Sequence, residues 1–180
     1  MDNSLAQKRA DAQRNYDKLL QTAATILRSQ TTIPALESIA KRAGVGIGTL
    51  YRHFPTKKSL LEAVYAQAIA VVVGEASKPT HSAPPDKVLT DWLTTIVDYS
   101  AKYNGFSDFI SLSLDDKESE IIKAGAHLLT QAQRAGAVRR DLTASELLRL
   151  VQAVTDEGAE KQTARARKLL SIIISGLRIK

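Results

Sequence analysis

The chain has 180 residues, 44% of them hydrophobic, enough to bury a core in one domain or in a small domain joined to a larger one. It contains no cysteine, which excludes disulfide frameworks, thiolate metal sites and cysteine nucleophiles. The net charge of +6 is unevenly held: residues 1–60 carry ten Lys or Arg against four acids, and the rest of the chain carries 15 of each sign. That distribution predicts a polyanion-binding head on a neutral body, although a solvated basic face would have the same composition.

The first residues, MDNSLAQKRADAQR, are polar and lack an apolar signal region, and no stretch reaches the roughly 18 unbroken apolar residues of a membrane span. Neither secretion nor membrane insertion is expected, and the cytoplasm is the expected location. Tyr16, Leu19, Leu20, Ala23, Ile26 and Leu27 recur at helical spacing and predict a first helix from about Lys8 to Ser29. Residues 30–33 interrupt it, and Pro34 suits the first turn of a second helix carrying Leu36, Ile39, Ala40 and Ala43 inward. Gly44 is a candidate left-handed cap, after which Val45-Gly46 leads into a short third helix ending near Phe54. Thr56 can cap a fourth helix with Leu60, Leu61, Val64, Ala68 and Val71 or Val72 as its buried stripe.

Three of the five prolines fall within residues 78–85, the clearest loop, and Asp86 is a candidate cap for the fifth helix. That helix presents Leu89, Trp92, Leu93, Ile96, Ser100 and Tyr103 on one face and ends at Asn104-Gly105. Residues 106–114 also read as an alternating strand; the helical surroundings decide for helix. Asp116 can cap the next helix, with Ile121, Ile122, Leu128, Leu129 and Ala132 inside and Gly136 at its end. Thr143-Ala144-Ser145-Glu146 spells a capping box before a helix that buries Leu147, Leu150, Val151 and Val154, leaving Leu148 off the stripe. The last helix, from about Lys161, is apolar on more than one side, which one core cannot absorb. With no repeat and no hairpin signal, the fold class is all-α.

Two short helices joined by a tight glycine-containing turn in the basic third are the pattern of a helix-turn-helix. A short, basic, one-sidedly exposed second helix can enter the roughly 12 Å major groove while the first braces it. The residues Ile39-Ala40, Ala43-Gly44-Val45, Gly48-Thr49-Leu50-Tyr51, His53-Phe54, Lys57 and Leu60-Leu61 further resemble the tetracycline-repressor family, with every spacing of its head motif kept. The motif covers only the head; the body resembles the family in being helical and of suitable length.

The resemblance implies an N-terminal arm over 1–11, a DNA-binding domain over 12–70 with its helix-turn-helix at about 34–54, and a ligand-binding and dimerisation body over 71–180. It implies that Tyr51 and His53 hold phosphates, that Lys57 adds a third such contact, and that Thr32 offers another at the start of the second helix. Base reading would fall to Gly46, Ile47, Thr49 and Arg52, of which Arg52 alone can pair bidentately with guanine. Gly46 departs from many members, which carry a hydroxyl residue there; glycine is tolerated as a cap. Leu50 and Phe54 read as core. The Gly44–Gly48 cluster resembles a nucleotide-cradling loop only superficially, since no strand precedes it.

For the body, the resemblance implies a pocket for a small-molecule inducer whose filling moves the fourth helix and changes the spacing of two heads. Candidate lining groups are Trp92, Tyr99, Tyr103, Phe106, Phe109 and His127, each of which also reads as plain core. It further implies a homodimer through the last two helices, with Leu147, Leu148, Val151, Leu169, Leu170, Ile173, Ile174 and Leu177 at the interface, acting on a roughly palindromic double-stranded operator. His53, His81 and His127 show no ligand spacing, no nucleophile–base pair is visible, and the acidic runs at residues 115–118 and 156–157 read as solvated helix starts. No metal, cofactor or catalytic activity is expected. The reading is a ligand-released repressor; its alternatives are an activator, a polyanion- or membrane-surface-binding protein without sequence specificity, and an enzyme on a helical scaffold.

Overall fold

The computed structural model describes residues 2–30, 33–78, 83–116, 118–155 and 162–179. Among them are nine helices and a single bridge between Val138 and Arg178: α1 Asp2–Ser29, α2 Leu36–Ala43, α3 Ile47–His53, α4 Lys57–Ala76, α5 Pro85–Lys102, α6 Phe106–Ser113, α7 Glu120–Arg134, α8 Ala144–Thr155 and α9 Gln162–Leu177. The all-α expectation is met. Residues 79–82 of the proline-rich loop, Thr31, and the Asp156-Glu157 pair lie outside the described residues.

The chain divides into two compact units between Gln67 and Ala68, within α4. In the first, α1, α2 and α3 pack on one another around Leu19, Ala23, Ile39, Leu50 and Leu60, all fully buried. Burying a side chain of that size stabilises by about 1.5–3 kcal/mol, so this small core rests on a few residues. In the second unit, α5 lies against α7, α8 and α9, and α6 lies against α8. Trp92, Leu93, Phe106, Ile121, Leu147 and Leu148 fill that core.

Helix α4 runs from one unit into the other. Among the described helices it is long and apolar enough to cross a membrane. Its buried stripe, with Leu60 and Val64 in the first unit and Ala68 and Val72 in the second, is that of a core helix. Val71 is 44% exposed and Leu61 only half-buried, so the stripe runs through Val72.

Local signals behave unevenly. Gly44 (φ 64°) and Gly136 (φ 70°) adopt the left-handed conformation expected after α2 and α7. Thr143 and Glu146 exchange the capping-box bonds, with the Thr143 N–H donating to the Glu146 carboxylate at 2.8 Å and the Glu146 N–H donating to Thr143 Oγ1 at 3.3 Å. Thr56 does cap α4, in a reciprocal pair with Ser59. Three expected helix starts differ. Pro34 lies before α2, whose N-cap is Ala35. Asp86 sits inside the first turn of α5, because Pro85 already occupies the first helical position. Asp116 instead accepts the Glu118 N–H at 2.9 Å, closing a local turn ahead of the α7 N-cap, Ser119. In α8 the buried face is Leu147, Leu148 and Val151, and Leu150 is 43% exposed. The apolar run there supplies two possible stripes, and packing against α7 and α9 selects the one containing Leu148.

Candidate nucleic-acid interface

The turn between α2 and α3 is fixed by backbone bonds. The Gly44 N–H donates to Lys41 C=O at 3.3 Å and the Val45 N–H to Ala40 C=O at 3.0 Å, which requires the positive φ of Gly44. Gly46 then enters α3 in an extended conformation without a side-chain cap. Once α3 starts at Ile47, its period decides what faces outward. Leu50 and Phe54 are buried at 0% and 2% exposure, whereas Ile47 and Tyr51 are each 43% exposed and Gly48 and Arg52 lie beside them. Thr49 and His53 flank this outer face.

Seven of the eight residues expected to touch DNA are described, and Gly46, Ile47, Thr49, Tyr51, Arg52, His53 and Lys57 all lie on α3 or its flanks. Thr32 lies outside the described residues. The His53 ring sits edge-on to Tyr16 at 5.7 Å between centroids and tilted against Phe54 at 6.2 Å, so α1 orients it. Lys57, at the start of α4, donates from Nζ to the Ile33 carbonyl at 2.5 Å, holding its ammonium beside the entrance to α2.

One partner has no signal in the sequence. The Tyr51 hydroxyl donates to Glu37 Oε1 at 2.7 Å, tying α3 to the exposed side of α2. This bond lowers the Glu37 pKa and raises that of Tyr51, since it favours the carboxylate and the protonated phenol together. The two residues are 14 positions apart and no helical period links them; only the crossing of α2 and α3 brings them together.

In the second unit the expected aromatic groups separate. Tyr99, Tyr103 and Phe106 form one cluster, with centroids 5.7 to 6.4 Å apart and Lys102 Nζ 5.4 Å from the Tyr99 ring centroid. Trp92 is buried and donates its indole N–H to Val72 C=O at 2.9 Å. Phe109 is half-buried, and His127 lies beside Gln131. None of the six lines the cleft formed by α5, α6 and α8. Its polar lining is Ser100, Ser107, Gln152 and Thr155, and its apolar walls are Ile96, Ile110 and Leu148. Of the eight expected dimer residues, Leu147, Leu148, Val151, Leu170, Ile174 and Leu177 belong to the chain's own core. Leu169 and Ile173 are half-buried, and the exposed large apolar side chains of α8 and α9 are Leu150 and Ile172 at 43% and 58%.

Residues 30–64 match the family model described as bacterial regulatory proteins, tetR family, and residues 84–179 match that of the SbtR-like transcriptional regulator C-terminal domain. An HTH-type transcriptional regulator of Staphylococcus aureus is 39% identical over 66 residues, 36% of this chain and 35% of that protein, so the match spans about a third of the relative's length. A TetR transcriptional regulator of Streptomyces coelicolor superposes with a TM-score of 0.66 at 29% identity, covering 91% of this chain and 98% of the other. A TetR regulatory protein of Mycobacterium vanbaalenii gives 0.64 at 29% identity over 95% and 99% of the two chains. One model matches the helix-turn-helix and the other more than half the chain; this protein belongs to the TetR family of bacterial transcriptional regulators.

Proposed function

We propose that the protein is a homodimeric repressor that occupies a roughly palindromic DNA operator through α3 and leaves it when a small molecule enters the second unit. The observation that carries this reading is the one-sidedness of α3: Ile47, Gly48, Tyr51 and Arg52 face outward while Leu50 and Phe54 anchor the helix from behind. Tyr51, His53, Lys57 and Thr32 take phosphates and set the register. Arg52 reads guanine, and Ile47 with the Thr49 methyl meets thymine methyls next to Gly46. Two-fold symmetry sets the half-sites about 34–36 Å, or a multiple of that, apart. Leu150, Leu169, Ile172 and Ile173 supply the dimer face, and α4 carries ligand binding in the second unit to the first. The protein works in the cytoplasm, without catalysis.

The test is selection of genomic fragments by the purified protein over a salt series. A single palindromic site with a slope near 0.9 log units per phosphate neutralised supports the reading, and uniform binding to all fragments overturns it. On the selected fragment, Arg52→Ala is expected to cost about 1–3 kcal/mol and relax preference at one base position. Lys57→Ala is expected to weaken all sequences alike and reduce the salt slope by about 1.

A further inference from the structure

A glycine that neither backbone nor packing requires forgoes stability that alanine would give. Several glycines of this chain have a reason inside the protein. Gly44 and Gly136 adopt φ of 64° and 70°, and a Cβ on Gly125 would press on the Trp92 ring. Gly46 precedes α3 as its N-cap, a place where glycine is tolerated. Gly48 has no such reason. It lies in the first turn of α3 without a positive φ, and a Cβ built on it meets no atom within 4 Å among the described residues. Gly74 and Gly176 are as open, on α4 and α9 in the second unit; of the three, Gly48 alone is on the DNA-reading helix.

Its place on α3 supplies an external reason. Successive helical residues turn by about 100°, so with Leu50 and Phe54 against the core, Gly48 and Arg52 fall on the line of α3 farthest from it. Both are exposed, whereas Thr49 and His53 on one flank are half-buried. The line farthest from the core goes deepest into a groove. A helix with its side chains is about 10–12 Å across and the major groove roughly 12 Å wide, so depth depends on what stands along that line. At Gly48 it is backbone alone. A helical side chain covers the turn before its own Cα, so the surface at Gly48 is also the one over which Arg52 works. We propose that Gly48 sets the depth of α3 in the major groove: base-pair edges close directly onto its backbone, and this approach brings Arg52 within reach of guanine. The inference rests on the reading of α3 as the helix that enters operator DNA, and it adds a residue that acts by having no side chain.

Gly48→Ala is the test, because stability and binding are expected to move in opposite directions. With open space for the methyl group and an unstrained φ, the variant is expected to melt about 1–4 °C above the parent. On the fragment selected by the parent it is expected to bind about tenfold more weakly or worse, the scale of overpacking a close contact. On a random duplex the two proteins are expected to agree within about twofold at every salt concentration, since the phosphate contacts are kept. Arg52→Ala is expected to lose less affinity in the Gly48→Ala background than in the parent, because the guanine contact is already weakened. An equal loss on the random duplex overturns the inference by placing the contact at the sugar–phosphate backbone. A lower melting midpoint overturns it by showing that this glycine serves the fold, and additive effects of the two substitutions overturn the link to Arg52. If the parent selects no fragment, the repressor reading falls and this inference with it; if parent and Gly48→Ala bind a selected fragment alike, this inference falls alone.

Discussion

Tyr51 cannot give its proton to Glu37 and to a phosphate at the same time. In the free protein the phenol is held by the Glu37 carboxylate, and a phosphate arriving there meets a negative charge that must first give up its donor. With Tyr51 in the phosphate-holding role proposed for it, Glu37 opposes DNA binding there. Replacing it with the neutral isostere, Glu37→Gln, is expected to tighten binding about two- to fivefold on every DNA sequence, the scale of one exposed charge interaction. A filter-binding comparison of specific and random duplexes checks this; a gain confined to one sequence would point to base contact by Glu37 instead. The tie also has a pH sense. Because the Glu37 pKa is lowered in the folded state, its contribution to stability is complete above the ordinary carboxylate range and is lost as pH falls through the lowered value. Asp141 shows the same direction more strongly. The Arg139 guanidinium holds its pKa at about 2, against an ordinary 3.8. Arg139→Gln is expected to return the Asp141 midpoint towards the ordinary value in an NMR titration and to remove the part of the acid loss of stability that Asp141 contributes.

At the level of helices, a tight packing constraint lies between α5 and α7. A Cβ at Gly125 would stand 3.1 Å from the Trp92 ring and 3.5 Å from Leu148. Helix propensity favours alanine over glycine by about 0.5–1 kcal/mol, but overpacking a core costs about 1–3 kcal/mol. The ring cannot easily retreat, because its N–H is bonded to Val72. Gly125→Ala is thus expected to destabilise by roughly 1 kcal/mol, read as a lower chemical-denaturation midpoint; an unchanged or higher midpoint would show that Trp92 moves freely. Nothing in the sequence around Gly125 announces this constraint, whereas Gly44, Gly136 and the Thr143–Glu146 box are legible because each depends on residues adjacent in the chain. The stripe of α8 departs from its expected face for a related reason: Leu147, Leu148, Leu150 and Val151 satisfy two helical faces, and only the neighbours of α8 choose. Ser100 is legible as an inward position of α5, yet its place in the cleft is not. The hydroxyls that surround it come from α6 and α8, and short polar residues leave no periodic trace.

For the whole protein, the proposed dimer rests on the outer faces of α8 and α9. Leu150 and Ile172 are exposed with the half-buried Leu169 and Ile173 on the same two helices, after the core has taken Leu147, Leu148, Val151, Leu170 and Ile174. A carboxylate placed in a dimer interface there would be buried without a partner. Ile172→Glu is expected to raise the dimer dissociation constant by at least about tenfold in sedimentation experiments while leaving the helical content unchanged. Unaltered dimerisation would move the interface elsewhere. DNA affinity should fall with it, since a palindrome rewards two linked heads over one.

Trp92 has a consequence of another kind. It is the only tryptophan in the chain. Its indole N–H is bonded to a carbonyl of α4, and its ring touches the position of Gly125, next to the Leu148 side chain that walls the Ser100 cleft. The protein thus carries one tryptophan fluorophore, shielded from solvent and bonded to α4. Its emission wavelength and lifetime follow that single environment, so a change in how α4 packs against α5 within the second unit can be watched in the unmodified protein, in real time and without a dye.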